Sequence, residues 1–173
     1  MPNRKMVLAG TGPAGGKGIS GVAGVTFYDM PRGFFTGQDA KQFLFFTRTP
    51  GAIEAGMAFL ARLQERTDDH DKEISVSAFL AQLKALRVWG QKAPADLSVI
   101  QQPVLVVNGD DDRMAPTINT HDLARRLPNN ELIVYPDAGH GGAFQFHAEF
   151  LNSTLGSLGR QEDDMAALNT RPR

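Results

Sequence analysis

Two loops carry residue types that could do acid–base chemistry. Asp112 stands in Asn108-Gly-Asp-Asp-Asp-Arg-Met-Ala-Pro116, and His140 in Tyr135-Pro-Asp-Ala-Gly-His-Gly-Gly142. A carboxylate bonded to an imidazole holds the ring in one tautomer and frees it to act as a general base. His140 lies between glycines, where the backbone can turn sharply and present a side chain. Asp112 has two acidic neighbours, Asp110 and Asp111, that could share or take its role. Aspartates also favour turns because their side chains bond nearby backbone. Three adjacent acids could bind a hard cation such as Ca²⁺, but no further ligands recur at the alternating spacing of a calcium loop. His70 and His121 have no motif around them and read as surface residues; His147 falls on the last helix.

The elements that must position these loops are readable from apolar patterning. Met6 to Ala9, Pro103 to Val107 and Glu131 to Tyr135 are short apolar runs ended by glycine, asparagine or proline, as buried parallel strands are. Helical spacing of apolar residues appears in Asp39 to Phe46, Ala52 to Arg66 and Val76 to Trp89, with a polar connection from Thr67 to Glu73. Thr117 to Leu127 and Ala143 to Leu158 read as two further helices, and Gly159 to Arg173 as a polar tail. Gly10 to Gly24, dense in glycine, reads mostly as loop.

The expected fold class is therefore α/β: part of a doubly wound parallel sheet of three strands, with an inserted helical cap. Residues 1–25 and 96–158 form the core, 26–95 the cap and 159–173 a flexible tail. If the strands before Asp112 and His140 are adjacent and parallel, both loops leave the same sheet edge, where chemistry collects in such folds.

Composition narrows the rest. The 173 residues carry 18 basic and 19 acidic side chains, mixed along the chain, which excludes an electrostatic footprint for nucleic acid or membrane. Cysteine is absent, so disulfides and thiol chemistry are excluded; a cytoplasmic location is expected. No apolar run is long enough for a signal peptide or a membrane span.

Taken together, Pro103-Val-Leu-Val-Val-Asn-Gly-Asp-Asp-Asp-Arg-Met-Ala-Pro116, a helix, and Asp137-Ala-Gly-His140 resemble the C-terminal part of the α/β-hydrolase superfamily. The resemblance implies that Asp112 is the acid and His140 the base of a Ser-His-Asp triad hydrolysing ester- or amide-type bonds. It implies no cofactor and no metal; a cofactor-free haloperoxidase-like reaction uses a related triad. Leu8-Ala-Gly-Thr-Gly-Pro13 resembles the end of the strand before the cap. The aromatic residues Phe34, Phe35, Phe43, Phe45 and Phe46, with Trp89, would line an apolar pocket or pack the cap on the sheet.

One departure bears on activity. The family's nucleophile sits on a Gly-x-Ser-x-Gly elbow ahead of the acid and base, and no such pentapeptide is present. Gly18-Ile-Ser20-Gly-Val22 comes nearest but lacks the last glycine and a preceding strand. The expectation is a C-terminal portion that carries acid and base only and is inactive alone. Its first strand should expose an unpaired edge, through which the chain self-associates or receives an N-terminal half. The partners expected are these and, for the complete enzyme, a small-molecule substrate. A second reading is a non-catalytic interaction module or gene remnant of the same fold. A third is a flavin or dinucleotide site, since Gly10-Thr-Gly-Pro-Ala-Gly15 fits Gly-x-Gly-x-x-Gly after a strand and Thr26 to Asp29 could imitate a second strand ending in an acid. That fingerprint requires a helix directly after the glycines, and four more glycines stand there.

Overall fold

The computed structural model describes residues 5–65, 67–68 and 74–169. His70 and most of the Thr67–Glu73 connection lie outside the described residues. Three strands form one sheet in the order β1 (Met6–Ala9), β2 (Val104–Gly109), β3 (Asn130–Tyr135), and both pairings are parallel. Every residue of β2 is buried, as the apolar run from Val104 to Val107 requires of a central strand. Its alternate side chains feed two cores. Val104 and Val106 pack with Leu123 and Leu127 of the helix region after β2, while Leu105 and Val107 pack with Tyr135, Ala138, Phe146 and Phe150. The sheet is thus covered on both faces by α5 (Ile118–Arg126) on one side and by α6 (Gly142–Gln145) and α7 (His147–Asn169) on the other. Among the described residues no strand pairs with the outer edge of β1.

Between β1 and β2 the chain makes a single 3₁₀ turn, Ile19–Gly21, and four helices: α1 (Val22–Thr36), α2 (Ala40–Phe45), α3 (Pro50–Leu63) and α4 (Val76–Gly90). Asp39, Thr49 and Ser75 cap α2, α3 and α4 by accepting a backbone N–H in the first turn. The sequence pattern leads to three helices here, and α1 is the one it misses. The buried stripe of α1 is Val22, Thr26, Asp29 and Gly33, at helical spacing but with a single apolar side chain in it. Gly24, Pro31 and Gly33 further lower its intrinsic propensity. Gly33 is required for packing, since a Cβ there would lie 2.8 Å from the Gln38 carbonyl oxygen.

Other expectations are corrected by the structure. Thr26 to Asp29 is part of α1 rather than a strand, and Gly10 to Gly18 runs as loop into the 3₁₀ turn, so no helix opens on the Gly10–Gly15 motif. Those glycines serve close packing instead: a Cβ on Gly15 would lie 2.5 Å from the Lys92 carbonyl oxygen. Phe34 and Phe35 are 85% and 83% exposed and meet each other edge to face. Phe46 enters a separate hydrophobic cluster with Ala52 and Phe59. The last helical segment is divided at Phe146, and α7 runs from His147 to Asn169. His121 and His147 are exposed. Among the described residues, no helix is long and apolar enough to cross a membrane.

Candidate active site

Parallel pairing of β2 and β3 brings the Asp112 and His140 loops out of the same sheet edge. The loops cross in backbone contact. Asp111 N–H donates to the Ala138 carbonyl at 3.0 Å, Asp110 N–H to the Tyr135 carbonyl at 2.9 Å, and the Ala138 N–H to Asp110 Oδ1 at 3.1 Å. Gly109 makes the approach possible, because a Cβ there would lie 2.0 Å from the Ala138 oxygen. Buried Asn108 secures the acid loop from behind, donating to the Ala115 carbonyl and Thr120 Oγ1, both at 3.0 Å.

The three aspartates have separate duties. The Asp112 side chain is fully buried, and its Oδ1 accepts the N–H groups of Met114 (2.8 Å) and Ala115 (2.9 Å). Its Oδ2 lies 2.9 Å from His140 Nδ1. Turn chemistry and imidazole orientation, alternatives in the sequence, are thus divided between the two oxygens of one carboxylate. Asp110 joins the loops, and Asp111 is exposed. No group of three potential metal ligands is clustered among the described residues.

The imidazole is 27% exposed. Its Nε2 has no hydrogen-bond partner among the described residues, so it is the nitrogen available to a reactant. His140 opens onto two clefts. One, of about 470 Å³, is walled by Phe45, Phe59, Leu63 and Phe144, with Lys41 among its lining residues. The other, of about 290 Å³, lies toward Ile19, Val22, Leu86, Trp89 and Met114. Gly10, at φ 54°, packs on the imidazole itself, where a Cβ would be 3.2 Å from Cε1. Ser20 is exposed on the 3₁₀ turn and lines neither cleft.

Two anchors between insert and core were not legible beforehand. Asp29 on α1 is fully buried and pairs with Arg113, the residue after Asp112; Arg48 and Arg32 stand 3.7 Å and 4.0 Å from its other oxygen. Asp137, three residues before His140, accepts from Thr47 and Thr49 in the α2–α3 linker. Those two hydroxyls, Thr49 first, hold the Asp137 carboxyl below its ordinary value of 3.8. The stability this adds is present above the ordinary value and is lost as pH falls through the lowered one.

A family model described as alpha/beta hydrolase fold matches residues 20–146. An alpha/beta hydrolase fold protein from Chitinophaga pinensis superposes with a TM-score of 0.77 at 36% identity, over 87% of this chain and 54% of its own. An esterase from Exiguobacterium antarcticum superposes with a TM-score of 0.57 at 17% identity, covering 88% of this chain and 56% of its own, a likeness of fold alone. A poly(3-hydroxyalkanoate) depolymerase from Ectopseudomonas oleovorans is 40% identical over 76 residues, which is 44% of this chain and 26% of the depolymerase. The chain therefore spans about half the length of the solved relatives and matches about a quarter of the curated one.

Proposed function

The chain belongs to the alpha/beta hydrolase fold family, and from that premise we propose that Asp112 and His140 are the acid and base of a serine-type hydrolase. The observation that carries the reading is the 2.9 Å contact between Asp112 Oδ2 and His140 Nδ1, with Nε2 left free beside an apolar cleft. Asp112 keeps the proton on Nδ1. Nε2 then takes the proton of an attacking hydroxyl as its oxygen bonds the substrate carbonyl, and returns that proton to the leaving group. Water repeats the sequence to release the acid and restore the hydroxyl. By its name the depolymerase relative acts on poly(3-hydroxyalkanoate), whose linkages are esters, and this favours an ester substrate. Phe45, Phe59, Leu63 and Phe144 favour an apolar group next to the bond cut.

No Gly-x-Ser-x-Gly sequence occurs in the 173 residues, so the reading assigns the nucleophile to a segment or chain other than this one. A fluorophosphonate probe tests this directly. Intact mass should show no stoichiometric adduct on the purified chain. An adduct that disappears in both His140→Ala and Asp112→Ala would mean that a serine of this chain completes the site.

The outer edge of β1 is where this reading seats a nucleophile-bearing strand, or a second copy of this chain in its place. Unpaired strand edges are templates for pairing with another chain. Sedimentation of the isolated chain should therefore depend on concentration; one monomeric species at every loading would remove this part of the proposal. The competing reading, an interaction module without turnover, draws on exposed Phe34 and Phe35. It differs in predicting that no nucleophile-bearing partner restores esterase activity.

A further inference from the structure

His140 stands on a short turn after β3, and that turn leans on the insert at both ends. Asp137 adopts φ 51°, the left-handed region that a non-glycine residue enters uncommonly and keeps when its surroundings hold it there. The hold is visible. Thr47 Oγ1 donates to Asp137 Oδ1 at 2.7 Å and Thr49 Oγ1 to Oδ2 at 2.5 Å. Gln145 Nε2 donates to the Asp137 carbonyl at 3.0 Å. On the far side of His140, the Gly141 N–H donates to the Phe45 carbonyl at 2.7 Å, and the Phe45 ring centre lies 5.6 Å from the imidazole. Gly139 and Gly141 permit this approach, since a Cβ on either would lie 2.7 Å or 3.0 Å from the Phe45 oxygen. The linker from Phe45 to Thr49 thus grips the chain three residues before the base and one residue after it. Arg48, between the two threonines, reaches toward Asp29, which holds the residue after the acid.

We propose that Asp137 is a positioning residue for His140, clasped by Thr47 and Thr49, so that the insert sets where the imidazole sits against Asp112. This rests on the acid–base reading of Asp112 and His140. A purely structural role makes a different prediction. Asp137 is exposed, so water takes the place of the lost hydroxyl bonds and the net loss is a small part of the stability of the whole chain. Loss of the clasp should move the imidazole and leave the fold.

The readout is the His140 Nδ1–H of the ¹⁵N-labelled chain, followed by its exchange with solvent at alkaline pH, beside a thermal melt. Thr47→Val removes one donor and keeps the shape. Asp137→Gly removes the carboxylate and keeps the left-handed backbone accessible. Thr49 is left alone because its Oγ1 also accepts the Ala52 N–H at the start of α3. Both variants should raise the Nδ1–H exchange rate about tenfold, the effect on a local equilibrium of one ordinary hydrogen bond, while the melting midpoint falls by no more than roughly 5 °C. Thr47→Ser should restore the parent rate. Asp112→Ala should abolish the protected proton altogether. If Asp112→Ala does so while Thr47→Val and Asp137→Gly exchange at the parent rate, the positioning role is overturned and the acid–base reading stands. If Asp112→Ala leaves the proton as protected as before, the acid–base reading falls and the positioning role with it. Should Asp137→Gly unfold the chain, Thr47→Val against Thr47→Ser decides the question alone.

Discussion

Asp112→Asn is expected to reverse the tautomer of His140 without unfolding the chain. The argument follows from which groups face the two oxygens. Oδ1 accepts two backbone N–H groups, from Met114 and Ala115, so the carbonyl of an asparagine must stay on that side. The amide NH₂ then replaces Oδ2, 2.9 Å from Nδ1. A donor in that place requires Nδ1 to be the acceptor, and the ring proton moves to Nε2. Such a ring cannot take a proton from a nucleophile. With the nucleophile-bearing part supplied, turnover on an ester should fall about 10⁴-fold, the scale of the equivalent change in a Ser-His-Asp enzyme. The isolated chain is enough for the structural half of the test. ¹⁵N spectra at alkaline pH should show a pyrrole-like Nδ1 in the parent and a pyrrole-like Nε2 in the variant. A parent-like pattern in Asp112→Asn would show that Asp112 does not govern the ring.

Gly109→Ala should do more damage to the fold than any other single methyl group added at this edge. Its Cβ would lie 2.0 Å from the Ala138 oxygen and 2.4 Å from that of Gly139, and neither is the end of a side chain that could swing away. The acid and histidine loops would have to separate along the line where Asp110, Asp111 and Ala138 bond. Overpacking in a well-packed interior costs about 1–3 kcal/mol, and a clash of backbone with backbone belongs at the upper end. For a chain of this length that lowers the melting midpoint by on the order of 10 °C. The protected His140 Nδ1–H should vanish in the same variant. A melt within 2 °C of the parent, by order of magnitude no more than 1 kcal/mol, would mean that the two loops yield far more easily than their contacts suggest.

Legibility of the fold tracked the distance over which each element is decided. β2 is announced by Val104 to Val107, four apolar residues that can only be satisfied by burial on both faces. The acid and histidine loops are local motifs 28 positions apart, and each is defined by its own turn chemistry. α1 was hidden because its inward stripe holds threonine, aspartate and glycine: Thr26 donates to the Val22 carbonyl of its own helix, Asp29 pairs with Arg113 and Gly33 admits close backbone, so little apolar area marks the buried face. α4 shows the reverse: its helical spacing of Phe79, Leu80, Leu83 and Leu86 is plain in the sequence, yet none of its described residues is buried. The clasp on Asp137 joins residues 88 and 90 positions apart. Nothing in Thr47-Arg-Thr49 sets it apart from an ordinary surface linker until the chain has folded.

The polarity of β1 has a consequence of direction. Because β1 runs parallel to β2 and β3, a strand laid on its outer edge in the same sense ends on the side where His140 waits. Whatever residue follows that strand is delivered toward Nε2. A strand laid in the opposite sense presents its beginning there instead. A two-fold dimer whose axis stands perpendicular to the sheet pairs its two copies of β1 in that opposite sense. Such a dimer would satisfy the open backbone and still leave both imidazoles without a reactant. On the proposed acid–base reading, sealing the edge and completing the site are therefore separate events, distinguished by the orientation of the arriving chain.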